Sequence, residues 1–206
     1  MKITFLIRAL DVGGAERQLV ALAQGLHARG HAVKVVVFYA GGPLEADLRA
    51  EGVPVVVLNK SGRWDLLGFR LRLARALRSG RPEVVHGYLG GSNIFASLLA
   101  PAHRAMVVWG LRATDQVVDR LTWFDRLNLA VERRLARTPA LIVANSHAGE
   151  RDAIARGFPA STFVVIPNGV DTARFQPDPA GRARLRAEHG VPDDALLIGR
   201  IGRLHA

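Results

Sequence analysis

The sequence predicts an α/β protein built on a doubly wound parallel sheet, and three observations carry that expectation. Short β-branched apolar runs alternate with longer amphipathic stretches through most of the 206 residues. The runs are near-continuous in hydrophobicity, as expected of strands buried on both faces. The first of them leads straight into a glycine pair, Gly13-Gly14, and then a helical pattern. Repeated βα units of this kind close into a parallel sheet through right-handed crossovers.

Taken in order, the strands are expected at Lys2–Ile7, Val33–Phe38, Val53–Leu58, Glu83–Gly87, Ala105–Trp109, Leu141–Ala144 and Phe163–Ile166. Between the first two, Ala15, Leu19, Leu22, Ala23 and Leu26 mark one helix face, with Gly30 as its stop. Asp65 and Ser146 are N-cap candidates for helices running to about Ser79 and about Arg156. After Pro167 the turn-rich stretch PNGVDTARFQPDP reads as a linker, followed by a polar helix from about Ala180 to His189. Ala195–Ile201 then reads as another buried-type strand, ahead of Gly202-Arg203-Leu204-His205-Ala206. Such a strand by itself would be an unpaired apolar edge. The expected organisation is therefore a first domain over 1–172, a linker and short helix over 173–194, and the first strand of a second α/β domain over 195–206.

Composition narrows the function. There is no cysteine, so disulfides and Cys-ligated metal sites are ruled out, in keeping with a reducing cytoplasm. The start, MKITFLIRAL, is too brief for a signal segment, and no run approaches the ~18 apolar residues of a membrane span. The net charge is +10, nearly all from arginine, since the only lysines are Lys2, Lys34 and Lys60. That balance suits an anionic partner or phosphate-bearing substrates; it equally suits a chain that uses arginine wherever a solvated charge will do. No nucleic-acid recognition motif accompanies the charge, so nucleic acid is not an expected partner.

The candidate site gathers where strands end. Gly13-Gly14-Ala15-Glu16-Arg17 joins the first strand to the first helix. Its backbone N–H groups and the helix dipole suit an anion, and a tight turn needing positive φ is the alternative. The loop lacks the Gly-x-Gly-x-x-Gly spacing, and Phe38-Tyr39-Ala40-Gly41 puts no acidic residue after the second strand, so a nicotinamide dinucleotide is not expected. His86 ends the fourth strand beside a glycine-rich loop, Gly87, Gly90, Gly91, Ser92 and Asn93, as a crevice residue or a structural one. Arg112 follows the fifth strand and brings a planar charged fork to the same edge, or pairs with Asp115 or Asp119. Asn145-Ser146 ends the sixth, where an N-cap is a sufficient reason for the serine. No Asp/His metal cluster is apparent, so no metal or cofactor is expected.

Together these pieces resemble glycosyltransferase family 4, retaining enzymes with two Rossmann-like domains in the GT-B arrangement. The resemblance rests on Gly13–Arg17, Pro82-Glu83-Val84-Val85-His86, Val143-Ala144-Asn145-Ser146, Val165-Ile166-Pro167-Asn168-Gly169-Val170-Asp171 with Phe175, and Ile201-Gly202-Arg203-Leu204. It implies an acceptor-side N-terminal domain, with the start of the donor domain. It further implies a donor UDP- or GDP-sugar and a glycan or lipid-linked acceptor, in cell-surface polysaccharide synthesis. Under it, His86 is the catalytic candidate. Gly13, Gly14, Glu16, Arg17, Arg112, Asn145, Ser146, Asn168 and Arg203 are the substrate-binding ones, with Arg203 matching the family arginine that grips the donor diphosphate. The fifth strand departs from the family, carrying Trp109-Gly110-Leu111-Arg112 where many members place a histidine; Arg112 in that place suits a negatively charged acceptor. A non-catalytic module binding a phosphate-bearing ligand and, more weakly, a sugar-nucleotide epimerase are the other readings.

Two arginine-bearing helices bear on location. Leu66, Phe69, Leu73 and Leu77 share one face, with Arg72, Arg75 and Arg78 on the other. A second helix, about Asp119 to Arg137, buries Leu121, Phe124, Val131 and Leu135 and turns Arg126, Arg133 and Arg137 outward beside Trp123. They are solvated faces, or a surface for an anionic membrane that would place the protein on the inner face of the plasma membrane.

Overall fold

The computed structural model describes residues 1–62, 65–112 and 122–199. Seven parallel strands form one sheet: β1 (Lys2–Ile7), β2 (Ala32–Val37), β3 (Val55–Val57), β4 (Val84–Tyr88), β5 (Met106–Leu111), β6 (Leu141–Ala144) and β7 (Phe163–Val165). Their order is β3-β2-β1-β4-β5-β6-β7, so the chain reverses its direction of winding between β1 and β4. The crevice above such a reversal is where open α/β sheets bind ligands.

The helices are α1 (Gly14–Ala28), α2 (Leu44–Ala50), α3 (Leu66–Arg78), α4 (Gly90–Leu98), α5 (Ala100–His103), α6 (Trp123–Leu135), α7 (His147–Ala155) and α8 (Pro179–Glu188). The expected caps form: Asp65 accepts from the Phe69 amide at 3.1 Å, and Ser146 from the Gly149 amide at 3.1 Å. Gly30 adopts a left-handed φ of 81° just after α1, a conformation that ends helices at little cost for glycine.

Two apolar layers sandwich the sheet. One packs α1 and α2 on Phe5, Ile7, Val35 and Val37. The other packs α3, α4 and Phe158 around Leu6, Val36, Val85 and Trp109. Trp109 is fully buried, and its indole N–H donates to Ser97 Oγ at 3.0 Å, which satisfies the one polar atom of the largest core side chain. At Gly42 an added Cβ would come within 2.3 Å of the Leu10 backbone, so the turn into α2 admits only glycine without a backbone shift.

Three expectations from the sequence are corrected. The glycine-rich stretch after β4 is not a loop: Gly90–Leu98 is helical, entered through Leu89 at a φ of 69°. Arg72 is not a freely solvated charge; its half-exposed side chain pairs with Asp65, and its Nε donates to the Leu58 carbonyl at 2.9 Å. The N-cap carboxylate holds it along the helix start. Residues 195–199 form no strand, and Leu196 is 88% exposed there. A strand needs a hydrogen-bonded neighbour, and none of the described residues supplies one to this segment. Arg203, the Ile201–Leu204 match, Asp115, Asp119 and Leu121 lie outside the described residues, as does the side chain of Phe124.

The chain divides after Asn168 into two compact units. In the second, α8 is capped by Asp178, and the buried Arg186 donates through Nη2 to the Ala195 carbonyl at 2.6 Å. No helix among the described residues is long and apolar enough to cross a membrane.

Candidate functional site

The site is built where β1, β4 and β5 end. Gly13 is extended, with φ −149°, and caps α1 without any side-chain hydrogen bond. The left-handed turn entertained for the glycine pair is absent, because Gly14 opens the helix itself. A Cβ added at Gly14 would meet none of the described residues within 4 Å. The helix start is thus an open backbone surface, with Glu16 half-buried in its first turn and Arg17 exposed.

His86 does not end β4. It sits in the middle of the strand, opposite Phe5 in register, and is 7% exposed. Its ring packs at centroid distances of 5.4 Å from Phe5 and 4.7 Å from Tyr88. Its Nε2 is buried with no hydrogen-bond partner among the described residues. Burial first, and the nearby Arg112 charge second, push its pKa down to about 3. His86 is therefore a neutral ring one layer beneath the crevice.

Tyr88, which ends the strand, makes the connection that the sequence reading missed. The Arg112 guanidinium lies over its ring, 5.1 Å from the centroid. Nη2 of Arg112 donates to the Tyr88 hydroxyl at 3.2 Å, and Nη1 donates to Asn168 Oδ1 at 3.1 Å. Burial pushes the Tyr88 phenol up, against the opposing pull of Arg112. The arginine fork is thus fixed in one orientation by a stacked ring and an amide, and Asn168 from the expected set joins it directly.

The close packing beneath this fork depends on two glycines. A Cβ at Gly87 would stand 3.0 Å from the Asn93 backbone nitrogen, and one at Gly110 would stand 3.2 Å from the Gly87 carbonyl. Beside them Asn93 donates through Nδ2 to the Gly110 carbonyl and to Glu132 Oε1, at 3.4 Å each. Burial pushes the Glu132 carboxyl up, tempered by Asn93 and Arg156. Ser146 is occupied as a helix cap, and Asn145 is half-buried at the end of β6.

The parallel sheet thus carries an open helix start at its switch point and an oriented arginine fork at the same edge. The family model described as Glycosyltransferase Family 4 matches residues 12–174, and the chain belongs to that family. Among curated relatives it is 43% identical over 79 residues to the D-inositol 3-phosphate glycosyltransferase of Kineococcus radiotolerans, covering 36% of this chain and 18% of that protein. It is 33% identical over 102 residues to the GalNAc-alpha-(1->4)-GalNAc-alpha-(1->3)-diNAcBac-PP-undecaprenol alpha-1,4-N-acetyl-D-galactosaminyltransferase of Campylobacter jejuni, covering 46% of this chain and 27% of that protein. Among solved structures, HepE of Anabaena in complex with UDP-glucose superposes with a TM-score of 0.77 at 25% identity, over 94% of this chain and 50% of that one. The chain thus spans half or less of the length of these relatives, and its sheet is the Rossmann-like half of a GT-B arrangement.

Proposed function

We propose that the chain is the acceptor-side domain of a glycosyltransferase that moves a sugar from a UDP- or GDP-sugar to a glycan or lipid-linked acceptor in cell-surface polysaccharide synthesis. The observation that carries this reading is the crevice at the sheet's switch point, with the open start of α1 on one side and the Arg112 fork on the other. Departure of a nucleoside diphosphate builds negative charge on phosphate oxygens. Backbone N–H groups and an oriented guanidinium stabilise such charge best in a partly dry cleft. In this proposal the Gly13–Arg17 loop faces the donor diphosphate, and Arg112 with Asn168 faces an anionic group of the acceptor. His86 supports Tyr88 from below as a positioning residue, and Arg203 belongs to the donor side. HepE was solved with UDP and with UDP-glucose, which makes UDP-sugars the first donors to test. The test is transfer of labelled sugar from UDP- and GDP-sugar panels by the protein carrying both domains of the family architecture. Ligand binding without transfer across the panels would favour the non-catalytic module.

Gly14 offers a clean separation of fold from function. Gly14→Ala is expected to hold or slightly raise the unfolding temperature, because the added methyl meets no described residue and alanine favours the helix. The same methyl stands where a phosphate would approach the helix start. The KM for the donor should therefore rise about tenfold, the cost of roughly one charge-assisted hydrogen bond. An unchanged donor KM would remove the loop from the donor site.

We place the protein in the cytoplasm, on the inner face of the plasma membrane. The support is the outer face of α3, where Leu67 is 73% exposed and lies with Leu71 among Arg70, Arg75 and Arg78. Helix α6 adds Trp123, 77% exposed, with Leu127, Arg126, Arg133 and Arg134. Apolar side chains among cations suit an anionic interface, each arginine contributing about 1 kcal/mol near the surface. Protein should sediment with phosphatidylglycerol vesicles at low salt and be released as salt rises. Replacing Arg70, Arg75 and Arg78 with Gln should weaken binding at least about tenfold. Equal binding to neutral vesicles would return these faces to plain solvent exposure.

A further inference from the structure

A cavity of about 60 Å³ lies at the ends of β4 and β5, lined among others by Asn93, Arg112, Glu132, Arg156 and Phe158. That space holds a few water-sized groups, which fits the edge of a ring rather than a whole sugar. Its walls combine an apolar side, Phe158 and Leu111, with a polar side of one carboxylate, one amide and two guanidiniums.

We propose that Glu132 and Asn93 form a subsite for the hydroxyl groups of a polyhydroxylated acceptor, beside the fork of Arg112. The proposal rests on the glycosyltransferase reading and extends it to residues that no motif marks. The carboxylate of Glu132 turns away an anion from this wall, and Arg112 and Arg156 turn away a cation. A neutral hydroxyl satisfies both, donating to the carboxylate and accepting from a guanidinium. The present contacts leave room for it. Asn93 reaches Glu132 and the Gly110 carbonyl only at 3.4 Å, the long limit of a hydrogen bond. Asn93 is fully buried, and its Oδ1, which lies against Gly87, has no hydrogen-bond partner among the described residues. Glycine at 90 is part of the same design, since a Cβ there would stand 3.1 Å from Glu132 Oε2.

The experiment titrates the ¹⁵N-labelled chain with myo-inositol and, separately, with cyclohexanol, which keeps the ring but only one hydroxyl. Saturable shifts of the Asn93 side-chain amide and of the Gly90 and Gly110 amides are expected with myo-inositol and not with cyclohexanol. Glu132→Leu should weaken the myo-inositol response about tenfold or more, with the rest of the spectrum retained. The wild-type Asn93 resonance decides the matter even where the variant fails to fold. Equal shifts with both compounds, none up to about 100 mM, or a full response in a folded Glu132→Leu would overturn the subsite. Those results leave the enzyme reading standing wherever sugar transfer persists. Failure of all transfer with hydroxyl-dependent shifts intact would refute the enzyme reading alone.

Discussion

Arg112→Ala is expected to lower kcat/KM about 100-fold with an acceptor that carries phosphate or carboxylate, and far less with a neutral one. The magnitude follows from losing two charge-assisted hydrogen bonds to the anion, each worth about 1.5–3 kcal/mol, part of which water recovers. The difference between acceptors follows from geometry: the fork is held open by Tyr88 below and Asn168 beside it, so its charge is presented at the crevice. Arg112→Lys keeps the charge but loses the planar fork that stacks on Tyr88 and fixes the direction of its bonds, so its loss should fall between wild type and alanine. Steady-state kinetics on paired anionic and neutral acceptors makes the comparison. An equal loss on both would move Arg112 from the acceptor to the general architecture of the cleft. Loss of the guanidinium also leaves the buried Tyr88 hydroxyl without its donor, so a stability cost of about 1 kcal/mol should accompany the kinetic one.

What the sequence made legible, and what it hid, divides along the range of the forces involved. The strands were readable because a run such as Val33–Phe38 can be buried only in a sheet covered on both sides. The caps at Asp65 and Ser146 were readable because a short polar side chain bonds an amide three or four residues on. Arg112 was readable as a strand-end cation. Tyr88 was not, since a tyrosine in an apolar run looks like core, and its role depends on an arginine 24 residues away. Glu132 sits in an arginine-rich helix where it reads as a solvated counter-charge; only the fold brings Asn93 to it from 39 residues earlier. Helix α4 was hidden by its composition, because Gly90, Gly91, Ser92 and Asn93 each favour turns. Long-range packing overrides that preference, seating Asn93 in the space that Gly87 leaves open. Arg72 departs for a local reason: the N-cap carboxylate of its own helix and the Leu58 carbonyl hold it while it stays half-exposed.

His86 gives the largest expected effect on stability, and it runs through acid. The folded chain holds the ring neutral down to about pH 3, while the unfolded chain takes up a proton near the ordinary value of 6.5. Between those values the unfolded state binds more protons than the folded one, so stability must fall as pH falls. The contribution is whole above pH 6.5 and is lost at about 1.4 kcal/mol per pH unit on the way down. Urea unfolding between pH 7 and pH 4 should therefore be steeper in wild type than in His86→Leu, by close to one proton. Other titrating groups, including Glu132 with its opposite sign, act alike in both proteins and cancel in the comparison. The leucine variant gives up ring contacts with Phe5 and Tyr88 and removes the buried Nε2, and it should gain ground on wild type as the pH drops. Parallel pH profiles for the two proteins would mean that His86 takes up its proton in the folded state near neutrality. A ring that titrates there would have the exchangeable proton that a catalytic acid or base requires, and His86 would move from beneath Tyr88 into the chemistry of the site.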